Sequence, residues 1–126
     1  MQRLLTYSFA AVAAVGLMLL AGTTAVRAHH GWTGYDESKP VTLTGTIREA
    51  AYENPHGSVK LQESGAAGKT WNVILAPPSR MTSRGLAQDM LKVGTQATAV
   101  GYVHRSVTDE LRAERVTIAG KTTELR

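Results

Sequence analysis

The chain has 126 residues, no cysteine and a formal net charge of +4, from 14 basic and 10 acidic side chains. The absence of cysteine excludes disulfides, thiolate metal sites and cysteine nucleophiles. Arg3 and Arg27 lie within the first 28 residues, which contain no acid, so the remaining 98 residues carry 12 basic and 10 acidic side chains. A balance this close to neutral argues against nucleic acid as a partner.

The beginning of the chain has the three-part layout of a secretory signal peptide. Residues 1–7 hold one arginine and no acid, residues 9–21 are apolar, and residues 26–28 place small side chains where signal peptidase reads. An apolar run of about 13 residues is shorter than the roughly 20 that span a bilayer. We therefore expect residues 1–28 to be a signal peptide that directs the protein to the periplasm, with no stable membrane insertion after cleavage. Cleavage after Ala28 is favoured, and Ala25 is a competing site.

The residues after the signal peptide predict an arm followed by strands. Residues 29–40 show no periodicity and predict an extended arm. From Val41 apolar and polar residues alternate, which is typical of a half-buried strand, and Gly45 within it suggests a bulge or sharp bend. Three further strands are predicted around residues 59–61, 71–75 and 95–104, and a fifth strand follows Asp109-Glu110 and ends near Ile118, with another bulge between Ala113 and Val116.

A short helix is expected between the third and fourth strands. Pro77 and Pro78 end the third strand, Ser79 can cap the helix, and a second turn is predicted around residues 87–91. Three strands, a helix and two more strands are the order of a small five-stranded OB-like barrel, so the fold class is all-β. The barrel domain is assigned to residues 41–120, and residues 121–126 are assigned to a C-terminal tail.

Several strings in the chain resemble a family of small secreted bacterial proteins, the domain of unknown function 6152. They are AHHGW, YD-x-x-KPVTLTGTI, ENPH and PPSR…RGL…LKVG, and they extend over essentially the whole exported chain. The resemblance implies a compact periplasmic domain and brings no activity with it.

The four histidines suggest a copper site. Cleavage after Ala28 would make His29 the N-terminal residue, which offers its α-amine and ring Nδ1 to one metal ion; a third nitrogen completes the arrangement called a histidine brace. Nitrogen ligands in a plane suit Cu(II). His56 and His104 lie in the loops after the first and fourth strands, which flank the same face of an OB barrel. Copper is therefore the leading ligand, with His29 and His56 as ligands and His30 or His104 assisting.

Other interpretations remain open at this stage. His56 can simply hydrogen-bond within its turn, His104 can be a solvated strand end, and the His29–His30 pair can be a tolerated terminus. Tyr52, Trp71 and Tyr102 suggest an alternative binding surface for a small molecule or oligosaccharide. A third possibility is an envelope protein-interaction module without a metal.

Catalysis has little support in the sequence. No G-x-S-x-G elbow, H-E-x-x-H pair or spaced acid dyad is present. Glu49 and Glu53 are interpreted as solvated charges, and Met81 and Met90 as core residues. The sequence predicts a protein that binds a ligand without turning it over, and it leaves the physiological partner and the oligomeric state undetermined.

Overall fold

The computed structural model describes residues 31–66 and 68–126, and in these residues the chain forms six strands and two short helical segments. The signal peptide expected over residues 1–28, and His29 and His30, lie outside the described residues. The strands are β1 (Val41–Ala51), β2 (Ser58–Glu63), β3 (Thr70–Ile74), β4 (Gln96–Val103), β5 (Glu110–Ile118) and β6 (Lys121–Glu124). The helical segments are α1 (Pro78–Ser83) and a 3-10 turn (Gln88–Met90), both between β3 and β4.

The strands form one sheet that closes on itself. Its order is β3-β2-β1-β4-β5-β6, and these neighbours are antiparallel. A parallel pairing of β3 with β5, at Asn72–Ile74 and Glu110–Arg112, joins the two sides and closes a barrel of β1 to β5. The prediction of an all-β, five-stranded barrel with a short helix between the third and fourth strands is confirmed.

The core fills the barrel and extends under α1. Its largest fully buried side chains come from the inward positions of the strands and from the segment between β3 and β4: Ile47, Leu61, Val73, Leu75, Met81, Leu86, Leu111 and Leu125. Met81 is fully buried and Met90 packs against the core, as expected for both. Leu125 belongs to this core although the sequence analysis assigned residues 121–126 to a tail. Residues 121–124 instead pair with β5 as a sixth strand, because alternation there buries Thr123 and Leu125.

The structure corrects the expected position of the bulge in β1. The register shifts between Ile47 and Glu49, so the bulge is at Arg48 and not at Gly45. Gly45 serves close strand packing, because a Cβ there would lie 2.0 Å from the carbonyl oxygen of Gln62 on β2. The second expected bulge is confirmed: the pairing of β4 with β5 skips one residue between Ala113 and Arg115.

The expected cap of α1 is also different. The helix begins at Pro78, Pro77 occupies the N-cap position, and no side chain caps it. Ser79 therefore lies inside the first turn, because proline suits the first helical position and moves the start of the helix back by two residues. No helix in the described part of the chain is both long and apolar enough to span a bilayer.

Candidate ligand-binding site at the barrel rim

The strand register brings one arginine of β5 close to the loop between β1 and β2. Arg112 pairs with Ile74 of β3 on one side and with Tyr102 of β4 on the other. Ile74 in turn pairs with Ser58, the first residue of β2. His56 precedes Ser58 by only two residues. The register therefore places its ring at the end of the line of paired residues Ser58, Ile74 and Arg112.

The arm covers the same end of the barrel from outside. It forms turns, where the sequence suggested an extended segment, and is fixed to the end of β4 by an isolated bridge between Tyr35 and His104. The backbone N–H of Asp36 also donates to the carbonyl oxygen of Val103 at 2.9 Å. These backbone contacts hold the aromatic residues of the arm over the outer face of β4 and β5.

Arg112 is buried beneath the arm, with 8% of its surface exposed. Its Nη1 donates to the carbonyl oxygen of Gly31 at 3.0 Å, and its Nη2 donates to Nε2 of His56 at 3.2 Å. The guanidinium carbon lies 4.7 Å from the ring centroid of Trp32, a cation–π distance. Burial lowers the pKa of Arg112, as do the nearby cations of Arg80 and Arg126, whereas Tyr35 and the charge of Glu110 act in the opposite direction.

Tyr35 connects the arm to the β4–β5 loop through its ring and its hydroxyl. The hydroxyl donates to Oε1 of Glu110 at 2.5 Å, and the ring meets that of His104 edge-on, with centroids 5.0 Å apart. Burial raises the pKa of Tyr35, as do its hydrogen bond to Glu110 and the charge of that carboxylate. We call Trp32, Tyr35, His56, His104 and Arg112 the rim cluster.

The two loop histidines therefore reach the same cluster, as the barrel prediction required, and a ring nitrogen of each is in a hydrogen bond. A guanidinium can only donate, so Nε2 of His56 accepts from Arg112 and the hydrogen of a neutral ring is on Nδ1. In His104, Nδ1 accepts the backbone N–H groups of Ser106 and Val107, both at 3.1 Å. Its Nε2 lies against the arm, where a Cβ added to Gly34 would be 2.9 Å away.

Within residues 31–66 and 68–126, no group of three or more histidine or carboxylate side chains is placed to hold a metal ion. The copper ligands expected at His29 and His30 lie outside these residues. The arrangement of His104 gives it a structural part in the β4–β5 loop, since one nitrogen is occupied and the other is packed against Gly34.

The aromatic residues of the alternative surface have separate surroundings in the structure. Tyr52 lies near α1, with its hydroxyl 2.7 Å from the carbonyl oxygen of Leu86. Trp71 of β3 packs below the ammonium of Lys69, at 3.9 Å from the ring centroid. Tyr102 packs edge-on against Trp32, which joins it to the rim cluster. The three rings therefore do not form one continuous surface.

Sequence reasoning missed Trp32, Tyr35 and Arg112 as candidate site residues. Leu111 and Ala113 face the core, so alternation places Arg112 on the outer face of β5, where an arginine is ordinarily solvated. The arm and the β1–β2 loop both contact it, and no pattern in the arm predicts where the arm packs. The signal available was the presence of two aromatic residues in a short segment before the first strand.

The fold and the rim cluster define a small closed β-barrel domain with a charged and aromatic rim. The chain belongs to the Family of unknown function (DUF6152), whose model matches residues 15–112. A search of curated proteins found no match. Among solved structures, a chain from the crystal structure of a complex of TiaS with an isoleucine tRNA and ATP is similar, with 15% identity and a TM-score of 0.48. The match covers 72% of this chain and 19% of that one, a likeness too weak to bear on function.

Proposed function

We propose that the protein is an exported, periplasmic copper-binding domain that does not turn over its ligand. In this proposal His29 becomes the N-terminal residue and chelates Cu(II) through its α-amine and ring nitrogen. His56 supplies the opposing nitrogen, with assistance from His30. The β-barrel fold and the family membership do not depend on the metal.

The observation that supports the proposal is the anchoring of Gly31. Arg112 holds the carbonyl oxygen of Gly31 at 3.0 Å and the ring of His56 at 3.2 Å, so one guanidinium joins the beginning of the arm to the β1–β2 loop. His30 and His29 come directly before Gly31 in the sequence. Two residues of chain span at most about 7 Å, so the two histidines need to extend only a short way from Gly31 to meet His56.

Ligation by His56 requires the bond to Arg112 to break. Copper at Nε2 displaces the guanidinium directly. Copper at Nδ1 moves the ring hydrogen to Nε2, where it faces a group that can only donate. A hydrogen bond to a charged group contributes about 1.5–3 kcal/mol, whereas copper bound with a sub-micromolar Kd contributes about 8 kcal/mol or more. The metal therefore outweighs the hydrogen bond that it replaces.

His56 is favoured over His104 as the loop ligand. Both nitrogens of His104 face groups of its own loop or of the arm, including two N–H donors on Nδ1. Freeing either nitrogen would leave backbone N–H groups unpaired or move the arm. His56→Gln and His104→Gln thus form a matched pair of variants, each removing one imidazole at the rim.

The experiment measures Cu(II) affinity by competition with a chelator, together with the EPR spectrum, for four proteins. The protein that begins at His29 is expected to bind one Cu(II) with a sub-micromolar Kd, about −8 kcal/mol or tighter, and with a nitrogen-rich spectrum. One extra residue before His29, or His56→Gln, is expected to weaken binding at least about 100-fold, while His104→Gln binds as the parent does. Unchanged affinity in the extended protein would refute the proposal.

A further inference from the structure

Arg112 forms no direct ion pair with a carboxylate among the described residues, although the charge of Glu110 opposes the lowering of its pKa by burial. The guanidinium contacts the carbonyl of Gly31, the ring of His56 and aromatic faces, and its buried Nε has no hydrogen-bond partner. Guanidinium has five N–H donors, and these contacts use two of them. Glu110, two residues earlier on the same strand, accepts the hydroxyl of Tyr35.

A second guanidinium lies against the same indole. The guanidinium carbon of Arg126 lies 4.6 Å from the ring centroid of Trp32, and the guanidinium carbon of Arg112 lies 4.7 Å from the same centroid. The side chain of Arg126 is 44% exposed and forms an ion pair with Glu37 at 2.5 Å. An exposed pair of this kind contributes little to stability and exchanges readily with other anions.

These contacts leave one buried donor of Arg112, its Nε–H, without a hydrogen-bond partner. A buried donor that is left unsatisfied costs about 1–3 kcal/mol. An anion that accepts from this donor would satisfy it, and Arg126, whose guanidinium packs against the same indole, is 44% exposed to solvent. Guanidinium groups bind carboxylate and phosphate oxygens through paired N–H donors.

We propose that Arg112 and Arg126, packed against Trp32, form a binding site for a small oxyanion carrying a carboxylate or phosphate group. The ligand accepts from the unused N–H groups of Arg112 and takes the place of Glu37 on Arg126. The anion site adjoins the proposed copper ligand His56, to which Nη2 of Arg112 donates, but it contains no metal ligand itself. It needs neither cleavage at Ala28 nor a free α-amine.

The test is a two-dimensional ¹H–¹⁵N NMR titration of the exported chain in metal-depleted buffer. The buried Nε–H of Arg112 and the indole N–H of Trp32 are the reporters. Inorganic phosphate and acetate are added separately, each matched by sodium chloride at equal ionic strength, so the two arms distinguish phosphate from carboxylate. One of the two anions is expected to shift both reporters saturably with a Kd below about 1 mM, and chloride is not.

Two charge-removing variants distinguish a site from general attraction. Arg126→Gln is expected to weaken binding at least about fivefold, the equivalent of about 1 kcal/mol. Arg48→Gln removes an equal charge from an exposed position of β1, where its Nε donates to Gln62, and is expected to change the Kd less than about twofold. Arg112→Lys keeps the positive charge but removes the paired N–H donors of the guanidinium, and is expected to weaken binding at least about tenfold.

Two results would overturn the inference. One is the absence of saturable shifts with either anion up to about 10 mM, a range that includes weak small-ligand sites. The other is an equal loss of affinity in Arg126→Gln and Arg48→Gln. If Arg112→Lys does not fold, the comparison of Arg126→Gln with Arg48→Gln still shows whether the anion binds at a specific site. Loss of the copper proposal would leave the phosphate and acetate titrations unchanged, because these are run without metal.

Discussion

Replacing Tyr35 with phenylalanine removes one hydroxyl from the rim cluster and keeps the ring that packs against His104. The hydroxyl donates to Glu110 at 2.5 Å, and Tyr35 is 8% exposed. Hydrogen bonds to charged acceptors contribute about 1.5–3 kcal/mol. Because Glu110 is half-buried and water can replace part of this bond, we expect a loss of about 1–2 kcal/mol in unfolding free energy at pH 7.

The loss is measurable by urea denaturation and by calorimetry. For a domain of this size each kcal/mol corresponds to about 4–8 °C in Tm. Tyr102→Phe is the matched control, since it removes a hydroxyl that donates to Glu114 at 3.1 Å from a half-exposed ring on the neighbouring strand. We expect the control to lose less stability than Tyr35→Phe.

The same substitution has a distinct effect at high pH. Burial raises the pKa of Tyr35 above its ordinary value near 10. Below that ordinary value the residue is protonated in both the folded and the unfolded chain and adds no pH dependence. Above it the unfolded chain loses the proton that the folded chain retains, so stability falls with rising pH, by at most about 1.4 kcal/mol per pH unit. Tyr35→Phe is expected to remove this part of the slope.

Two results would refute this reasoning. The first is an unfolding free energy for Tyr35→Phe at pH 7 within about 0.3 kcal/mol of the parent, which is inside the error of the method. The second is an equal decline of stability above pH 10 in both proteins. Either result would mean that the hydroxyl of Tyr35 does not hold Glu110 in solution.

Two further substitutions test the barrel itself. Gly45→Ala places a Cβ 2.0 Å from the carbonyl oxygen of Gln62, and we expect it to lower the unfolding free energy by about 2 kcal/mol or more, measured by urea denaturation. Tyr52→Phe removes the hydroxyl that donates to Leu86 at 2.7 Å and is expected to cost about 1 kcal/mol, with faster amide hydrogen exchange in α1 and the turn after it.

Each of these substitutions has its own control. Gly31→Ala places a Cβ 3.3 Å from the hydroxyl oxygen of Thr33, a side chain that can move, so a loss as large as that of Gly45→Ala would contradict the packing argument. For Tyr52→Phe, uniform acceleration of exchange over the whole barrel, with none specific to residues 78–86, would show that the hydroxyl does not tether this segment.

The barrel was predictable because most positions of its strands alternate between core and solvent. Val59 and Leu61 face the core and Lys60 does not, and this pattern specifies both strand type and register. Gly45 shows where the pattern is insufficient. A glycine within a strand is compatible with a bulge or with close backbone approach, and only the position of β2 distinguishes the two.

The rim was predictable only in part. The loop positions of His56 and His104 follow from the barrel topology, and both lie in the rim cluster. The burial of Arg112 was not predictable, since it depends on an arm that has no periodicity and is held by backbone contacts. Tyr52 was interpreted as a surface aromatic, but its hydroxyl interacts with the segment after α1, a long-range contact that no local pattern indicates.

The most direct test of the central claim is intact mass spectrometry of the protein recovered from the periplasm, under native conditions, with and without added Cu(II). We predict a chain that begins at His29 and gains the mass of one copper ion. A mature chain that begins at Val26, or a chain that begins at His29 and gains no copper, would contradict the account.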